Sequence, residues 1–360
     1  MGRRGKIGLA KPIFGGLAAR ADDAGRLLDI FLVTSIGTIL AVRAFLKLTG
    51  YPQIGGGHLH IAHMLWGGLL MMAALILMQS VLVRWARHAG AWIGGIGFGL
   101  FIDELGKFIT RDNDYFYRPT FAIIYLLFVL IYLVAHSWIH NQELLPQESL
   151  INAVDYLKEG VWRELEPGEK ARAIPLAEAD PSHPLAGPVG ELLEKIGEGE
   201  ARSPGFWERS RDWTRKTYSR LVHWNGFATF LVLVLCAAAL IDILEYRRRL
   251  PLLRTDPEAL DFVERAGMLS GFASAFLVLA GAIPAFTGRR LLAYRLFEKS
   301  LLLSLFVNQV FVFVRVQALG IFDFIYVLLL LLSVRFLIQE EEAALEEEGA
   351  RARPRRRDGP

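Results

Sequence analysis

Residues 94–114, GGIGFGLFIDELGKFITRDND, set glycines and large apolar side chains ahead of Asp103, Glu104 and Lys107. The stretch reads as a membrane-type helix. Ionisable groups inside such a helix are costly and are expected to face protein or a water-filled path, not lipid. The rest of the chain supports that setting. It has 360 residues, 53% of them hydrophobic, and a mean hydropathy of +0.34.

The apolar residues are clustered, as in FAIIYLLFVLIYLVA (121–135) and IFDFIYVLLLLLS (321–333). A bilayer core of ~30 Å needs ~20 such residues as a helix. The expected fold is all-α, a polytopic transmembrane helix bundle of about eight spans. They fall at 28–48, 61–83, 91–110, 120–139, 223–244, 263–285, 299–317 and 320–338. The lone cysteine, Cys236, excludes a disulfide framework and a multi-thiolate metal site. A net charge of +3, with basic residues at segment ends, gives no reason to expect a nucleic-acid partner.

Lys and Arg in the flanks orient the spans. Arg3, Arg4, Lys6 and Lys11 precede span 1, Arg84 and Arg87 follow span 2, and Arg289 and Arg290 follow span 6, which places both termini in the cytoplasm. The loop 245–262 disagrees, since it carries Arg247, Arg248, Arg249 and Arg254 on the expected outer side. The N-terminal segment lacks a compact apolar core with a cleavage site and reads as a retained arm.

The chain divides into a cytoplasmic arm (1–27), a first four-helix membrane unit (28–139), a cytoplasmic insert (140–222), a second four-helix unit (223–338) and a charged tail (339–360), which extends the last helix with acids and then becomes basic and disordered. The insert has amphipathic flanks, SLINAVDYLKEGVWREL and FWERSRDWTRKTYSRLVHW, around a Pro/Gly-rich linker, EADPSHPLAGPVG, and a short helical stretch, ELLEKIGE. Interleaved aromatic and basic residues at 207–224 suggest a helix along the headgroups, and a partly ordered connector is the alternative. Membrane lipids and a cytoplasmic protein docked on 140–222 are the implied partners.

The two membrane units match in order. MLWGG (64–68) resembles MLSGF (268–272), LFIDELGKFI (100–109) resembles LFVNQVFVFV (305–314), and FAIIYLLFVL (121–130) resembles FDFIYVLLLL (322–331). An even number of spans per copy predicts two parallel repeats. Asp103 and Glu104 become Asn308 and Gln309, and His63 aligns with Gly267, so the second copy reads as having lost the ionisable chemistry.

The topology converges His58, His60 and His63, at the outer start of span 2, on Asp103 and Glu104 in the last turns of span 3. His60 and His63 share a helix face, and with Asp103 and Glu104 they form a candidate site for a divalent metal ion. Asp103 and Glu104 diverge by about 100° on a regular helix, so only a distorted helix lets both face one point. Lys107 is one turn from Asp103, an i,i+4 pair that could instead only fix helix register. Asp112 and Asp114 lie in the loop above, as further site residues or as solvated and capping groups. Gly95 and Gly99, at GxxxG spacing, would admit a neighbouring helix. A second pair, His136 and His140, falls at the opposite end of span 4, where it reads with Trp138 as an interfacial anchor.

The stretches YPQIGGGHLHIAHMLWGGLLM (51–71) and GGIGFGLFIDELGKFITRDNDYFYRP (94–119) resemble an uncharacterised family of bacterial multi-pass membrane proteins common in actinobacteria. That resemblance implies residence in the bacterial cytoplasmic membrane and supplies no reaction. A looser likeness, to the membrane hydrolases that include alkaline ceramidases, fails at its motifs: the HxxxH pair is on the wrong side and no serine stands three residues before a relevant histidine.

Three functions stay open on the sequence. The site could bind or conduct a cation or protons, or hold a metal that activates water against a lipid or outer-face substrate. Alternatively the protein is a scaffold whose insert binds a partner.

Overall fold

A computed structural model describes residues 19–50, 62–111, 114, 117–140, 144–200, 209, 226–255 and 261–352. Among them the regular structure is helical, and the one β-bridge, Leu165 to Glu198, is isolated. Two compact units result: 1–117 with 127–203, and 118–126 with 204–360.

The first unit opens with α1 (Ala24–Thr49), α2 (His63–Ser80) and α3 (Arg84–Asp103). Only Val81, Leu82 and Val83 join α2 to α3, so the two run antiparallel. α3 packs against both α1 and α2, and its glycines decide how closely. A Cβ on Gly97 would stand 2.7 Å from the Gly67 carbonyl oxygen of α2, and one on Gly99 2.5 Å from the Ser35 carbonyl oxygen of α1. Nothing larger than hydrogen fits there. The GxxxG pair therefore does admit a neighbour, and that neighbour is α1. At this contact the hydroxyls of Thr34, Ser35 and Thr38 donate back to carbonyls of their own helix, satisfying them without water. Leu65, Trp66, Leu69, Met72 and Ile76 of α2 are exposed, an outward apolar surface suited to lipid.

The helix after Asp103 breaks at Glu104 (φ −87°, ψ 7°) and resumes as α4 (Leu105–Ile109). α5 (Thr120–Ala135) ends in a π-helical turn, His136–His140, in which the His136 ring stacks on Tyr132. Residues 118–126 belong with the second unit, where the Tyr125 hydroxyl donates to the Leu305 carbonyl.

The insert is a folded element over 144–200, not a connector. α6 (Pro146–Trp162), α7 (Pro167–Ala177) and α8 (Ala186–Lys195) close around Leu150, Ala153, Tyr156, Leu165, Ala173 and Leu193. The stretch expected to be a linker is helical from Ala186, because Pro188 falls in the first turn of α8, where its missing N–H costs no hydrogen bond. The amphipathic flank at 207–224 lies almost wholly outside the described residues.

α6 is fastened to the start of α1 and α3 by a buried ionic network that the sequence did not announce. The Arg84 guanidinium pairs with Asp22 (2.8 Å), Asp155 (3.0 Å) and Asp23 (3.2 Å) and lies 3.9 Å over the Tyr156 ring. Burial and the bond donated to Asp22 push the Tyr156 hydroxyl up to about 12. Arg20 forks onto Glu148 (2.6 and 2.9 Å), which, chiefly through that bond, holds the Glu148 carboxyl down at about 2 against its usual 4.5.

The second unit contains α9 (Phe227–Thr255), α10 (Phe262–Phe286), α11 (Arg290–Leu303), a π-helical turn (Ser304–Asn308), α12 (Gln309–Val316) and α13 (Gly320–Ala352). Its core draws Leu231 and Leu235, Val278, Phe297 and Leu301, and Leu331 and Val334 from four helices. The chain reverses between α12 and α13 at Gln317, whose φ of 52° is rare outside glycine. Pairs between Gln309 and Gly320, Glu298 and Arg335, and Arg295 and Glu342 then rise in step from the turn, so this is an antiparallel hairpin.

Among the described residues five helical stretches are long and apolar enough to cross a membrane: Ala24–Thr49, His63–Ser80, Phe227–Arg248, Phe262–Phe286 and Arg290–Ala343, the last of which folds back on itself at Gln317, while Thr120–Ala135 is a shorter apolar helix. One expectation needs correction. Residues 245–255 of the anomalous arginine-rich loop are helical, extending α9. The acidic part of the tail continues the last helix, which runs to Ala352, since the Glu/Ala/Leu-rich EEEAALEEE has high intrinsic helix propensity.

Replacing Arg84 by alanine leaves half-buried Asp22 with only the Tyr156 hydroxyl and Asp23 with only Arg87 at 3.6 Å, and should cost about 1–3 kcal/mol, read as a lowered midpoint for unfolding of the detergent-solubilised chain. Because the Glu148 pKa is depressed on folding, its contribution is full above about 4.5 and disappears as pH falls towards about 2. Glu148→Gln should therefore flatten the stability-versus-pH curve in that window and leave its neutral limb sloping as before.

Candidate functional site

At the far end of α3 from Arg84, three helices converge on Asp103. α3 has 20 residues, about 30 Å at ~1.5 Å per residue. Its two ends thus carry separate polar clusters, roughly one hydrocarbon thickness apart. α1 brings Arg43 to the Asp103 end, α2 brings His63 as its first residue, and the broken end of α3 supplies both carboxylates.

The geometry is tight. Arg43 Nε donates to Asp103 Oδ1 at 2.6 Å, and another guanidinium nitrogen donates to the Asp103 carbonyl at 3.0 Å. His63 Nε2 lies 3.2 Å from Asp103 Oδ2, and its Nδ1 lies 2.9 Å from Glu104 Oε1. Lys107 Nζ reaches the same Glu104 oxygen at 3.1 Å. Both carboxylates are sealed in, at 0% and 1% exposure, whereas the His63 side chain is 21% exposed. Glu104 Oε2 is buried with no hydrogen-bond partner among the described residues.

The divergence of Asp103 and Glu104 on a regular helix is resolved by the break at Glu104. Its ψ near zero turns the second carboxylate back, so both meet one imidazole. The same break corrects the expected Asp103–Lys107 pair. Lys107 bonds Glu104, three residues away, and Arg43 takes Asp103.

Sequence reasoning missed Arg43. Its signal was present, since an arginine inside an apolar span needs a buried partner, but the partner's identity depended on how α1 packs on α3. Asp114 follows the end of α4, where its N–H donates to the Thr110 hydroxyl. His58, His60 and Asp112 lie outside the described residues, as does the His140 side chain.

Of the four expected metal donors, His60 lies outside the described residues, and the other three are already bonded to one another. Each His63 nitrogen faces a carboxylate, and both carboxylates are also bonded to fixed cations. Among the described residues no group of three His, Cys, Asp or Glu side chains could hold a metal ion. What fits the arrangement is a proton. A neutral imidazole has one N–H and must turn a lone pair towards the other carboxylate, whereas an imidazolium donates to both. Arg43 and Lys107 already balance the two carboxylates, so the cluster is neutral without that proton and carries +1 with it.

Comparison of the chain with family models, curated proteins and solved structures finds no match.

Because Asp103 is fully buried, Arg43→Leu should destabilise the chain by about 3–5 kcal/mol in a denaturation measurement in detergent. Arg43→Leu with Asp103→Leu should recover most of that loss, the unpaired charge having gone. Lys107→Ala takes one of two partners from the sealed Glu104 and should cost about 1–3 kcal/mol.

Proposed function

We propose that the chain is an eight-span protein of the bacterial cytoplasmic membrane, both termini inside, whose first four-helix unit binds and passes protons at an outer-leaflet site centred on His63. One observation carries this reading: a partly exposed imidazole bonded through both nitrogens to two carboxylates that are themselves sealed from solvent. His63 is the group that exchanges with the outside. Asp103, held by Arg43, and Glu104, held by Lys107, are the acceptors behind it. The unpartnered Glu104 Oε2 is the point from which a proton can move on.

The eight-span count takes α1, α2, α9 and α10, adds α3 with α4 and α5, and counts the α11–α13 hairpin as two spans. A common origin for the two units is supported at the aligned positions themselves. α3 breaks at Glu104, and its counterpart carries a π-helical turn ending at Asn308. Glu104 and Gln309 are both fully buried, each with one oxygen lacking a partner among the described residues. The insert is the surface proposed for a cytoplasmic protein partner, since Val161 and Trp162 stand exposed at the end of α6. A metal-dependent hydrolase would need donor lone pairs that here face other protein groups.

Acidification of the outside of proteoliposomes loaded with a pH-sensitive dye tests the reading. The full chain should transmit the pulse faster than empty vesicles, and His63→Gln and Asp103→Asn should each return the rate to the empty-vesicle level while the protein elutes as a folded species. A rate in His63→Gln equal to that of the unsubstituted chain would sink the proposal.

A further inference from the structure

The second unit, read from sequence as chemically silent, contains a cavity of about 200 Å³. Gly267 and Asn308 line it, and these are the residues that align with His63 and Asp103. Where the first unit fills this position with an imidazole bonded to a carboxylate, the second has a hydrogen atom and a neutral amide. Phe311 packs on Gly267, where an added Cβ would stand 3.1 Å from the Phe311 Cβ, so the cavity is not simply the room of a missing imidazole.

The lining is strongly asymmetric. Asp242 and Glu245 of α9, Glu264 of α10 and Asp323 of α13 supply four carboxylates against the one guanidinium of Arg315 in α12. Asp242 and Asp323 lie within electrostatic reach of each other and of Arg315. Neither makes a hydrogen bond or ion pair with any described residue, Asp242 being exposed and Asp323 half-buried. The Tyr246 and Tyr326 rings stand in the same wall. Beyond them the lining is apolar, with Leu235, Val278, Leu301 and Leu330. Ser274, Ser300 and Ser304 bond to one another there (2.8 and 2.9 Å), so their hydroxyls are largely spent internally.

We propose that this cavity is a binding site for a small organic cation, an ammonium group bearing a short apolar chain. The excess negative charge calls for a cation. The two aromatic rings and the apolar floor favour an alkylammonium over a bare metal ion, which would want oxygen ligands on all sides. The volume lies below the ~300–1,000 Å³ of pockets that hold drug-sized ligands, which limits the guest to a few heavy atoms. Asp242 and Asp323 would take the ammonium and the floor its chain. This site is independent of the His63 cluster.

Titration calorimetry on the full chain in detergent tests it, with n-butylammonium chloride as probe and sodium chloride at equal ionic strength and butan-1-ol as comparisons. Saturable binding is expected for butylammonium only. Asp242→Asn and Asp323→Asn should each weaken it at least about tenfold, and Tyr326→Leu by a smaller factor, in proteins that elute as the unsubstituted chain does. If one Asp variant fails to fold, the other with Tyr326→Leu decides. Equal binding of butan-1-ol or sodium, no saturable butylammonium binding, or unchanged affinity in a folded Asp variant would overturn the assignment.

Discussion

Contact of α3 with its neighbours at the level of the backbone is the condition on which the first unit depends. Gly97 against Gly67 and Gly99 against the Ser35 carbonyl bring three helix axes closer than ordinary side chains permit. In lipid the hydrophobic effect does not hold helices together, so close van der Waals packing has to. The same proximity lets Arg43 and His63 reach Asp103 across two helix interfaces. The small residues in the middle of the bundle and the ionic residues at its end are therefore one arrangement, the first making the second geometrically possible.

That arrangement has a second anchor at the other end of α3. Arg84 gathers Asp22, Asp23 and Asp155 and ties the folded insert to the membrane helices, and Arg43 gathers Asp103 about 30 Å away. Buried ion pairs add little net stability against apolar packing, yet breaking one is expensive because it strands a charge. Their effect here is to fix register: α1, α2 and α3 cannot slide against one another without separating a charge from its partner at one end or the other. The cluster at Asp103 differs from the one at Arg84 in a single respect that matters for function. It contains an imidazole, whose charge can change in the range where arginine and carboxylate keep theirs.

The second unit has polar groups of its own among apolar helices. Gln309 is fully buried and donates from its amide to the Gly320 carbonyl, closing the α11–α13 hairpin. The cavity that Gly267 and Asn308 help to line is lined also by Asp242 and Asp323 from other helices, carboxylates that a comparison confined to the matched motifs passes over.

Much of this was legible in the sequence. Apolar runs of bilayer length gave the helical class, the glycine spacing gave a close helix contact, and the need to shield Asp103 and Glu104 singled out the residues that meet. His63 was identified because topology alone puts the start of span 2 beside the end of span 3. Three things had to wait for tertiary structure. The break at Glu104 follows from what both carboxylates bond to, and helix periodicity carries no trace of it. Arg43 as the partner of Asp103, and the Arg84 network with its folded insert, join residues 60 or more positions apart through packing that no local pattern encodes. The cavity beside Asp242 exists because five helices leave a gap, and the sequence of each helix alone does not record a gap. Sequence determined which groups could not be left in lipid, because that cost is a property of the residue. Only the tertiary structure decided which partner shields each of them, because that is a property of distance.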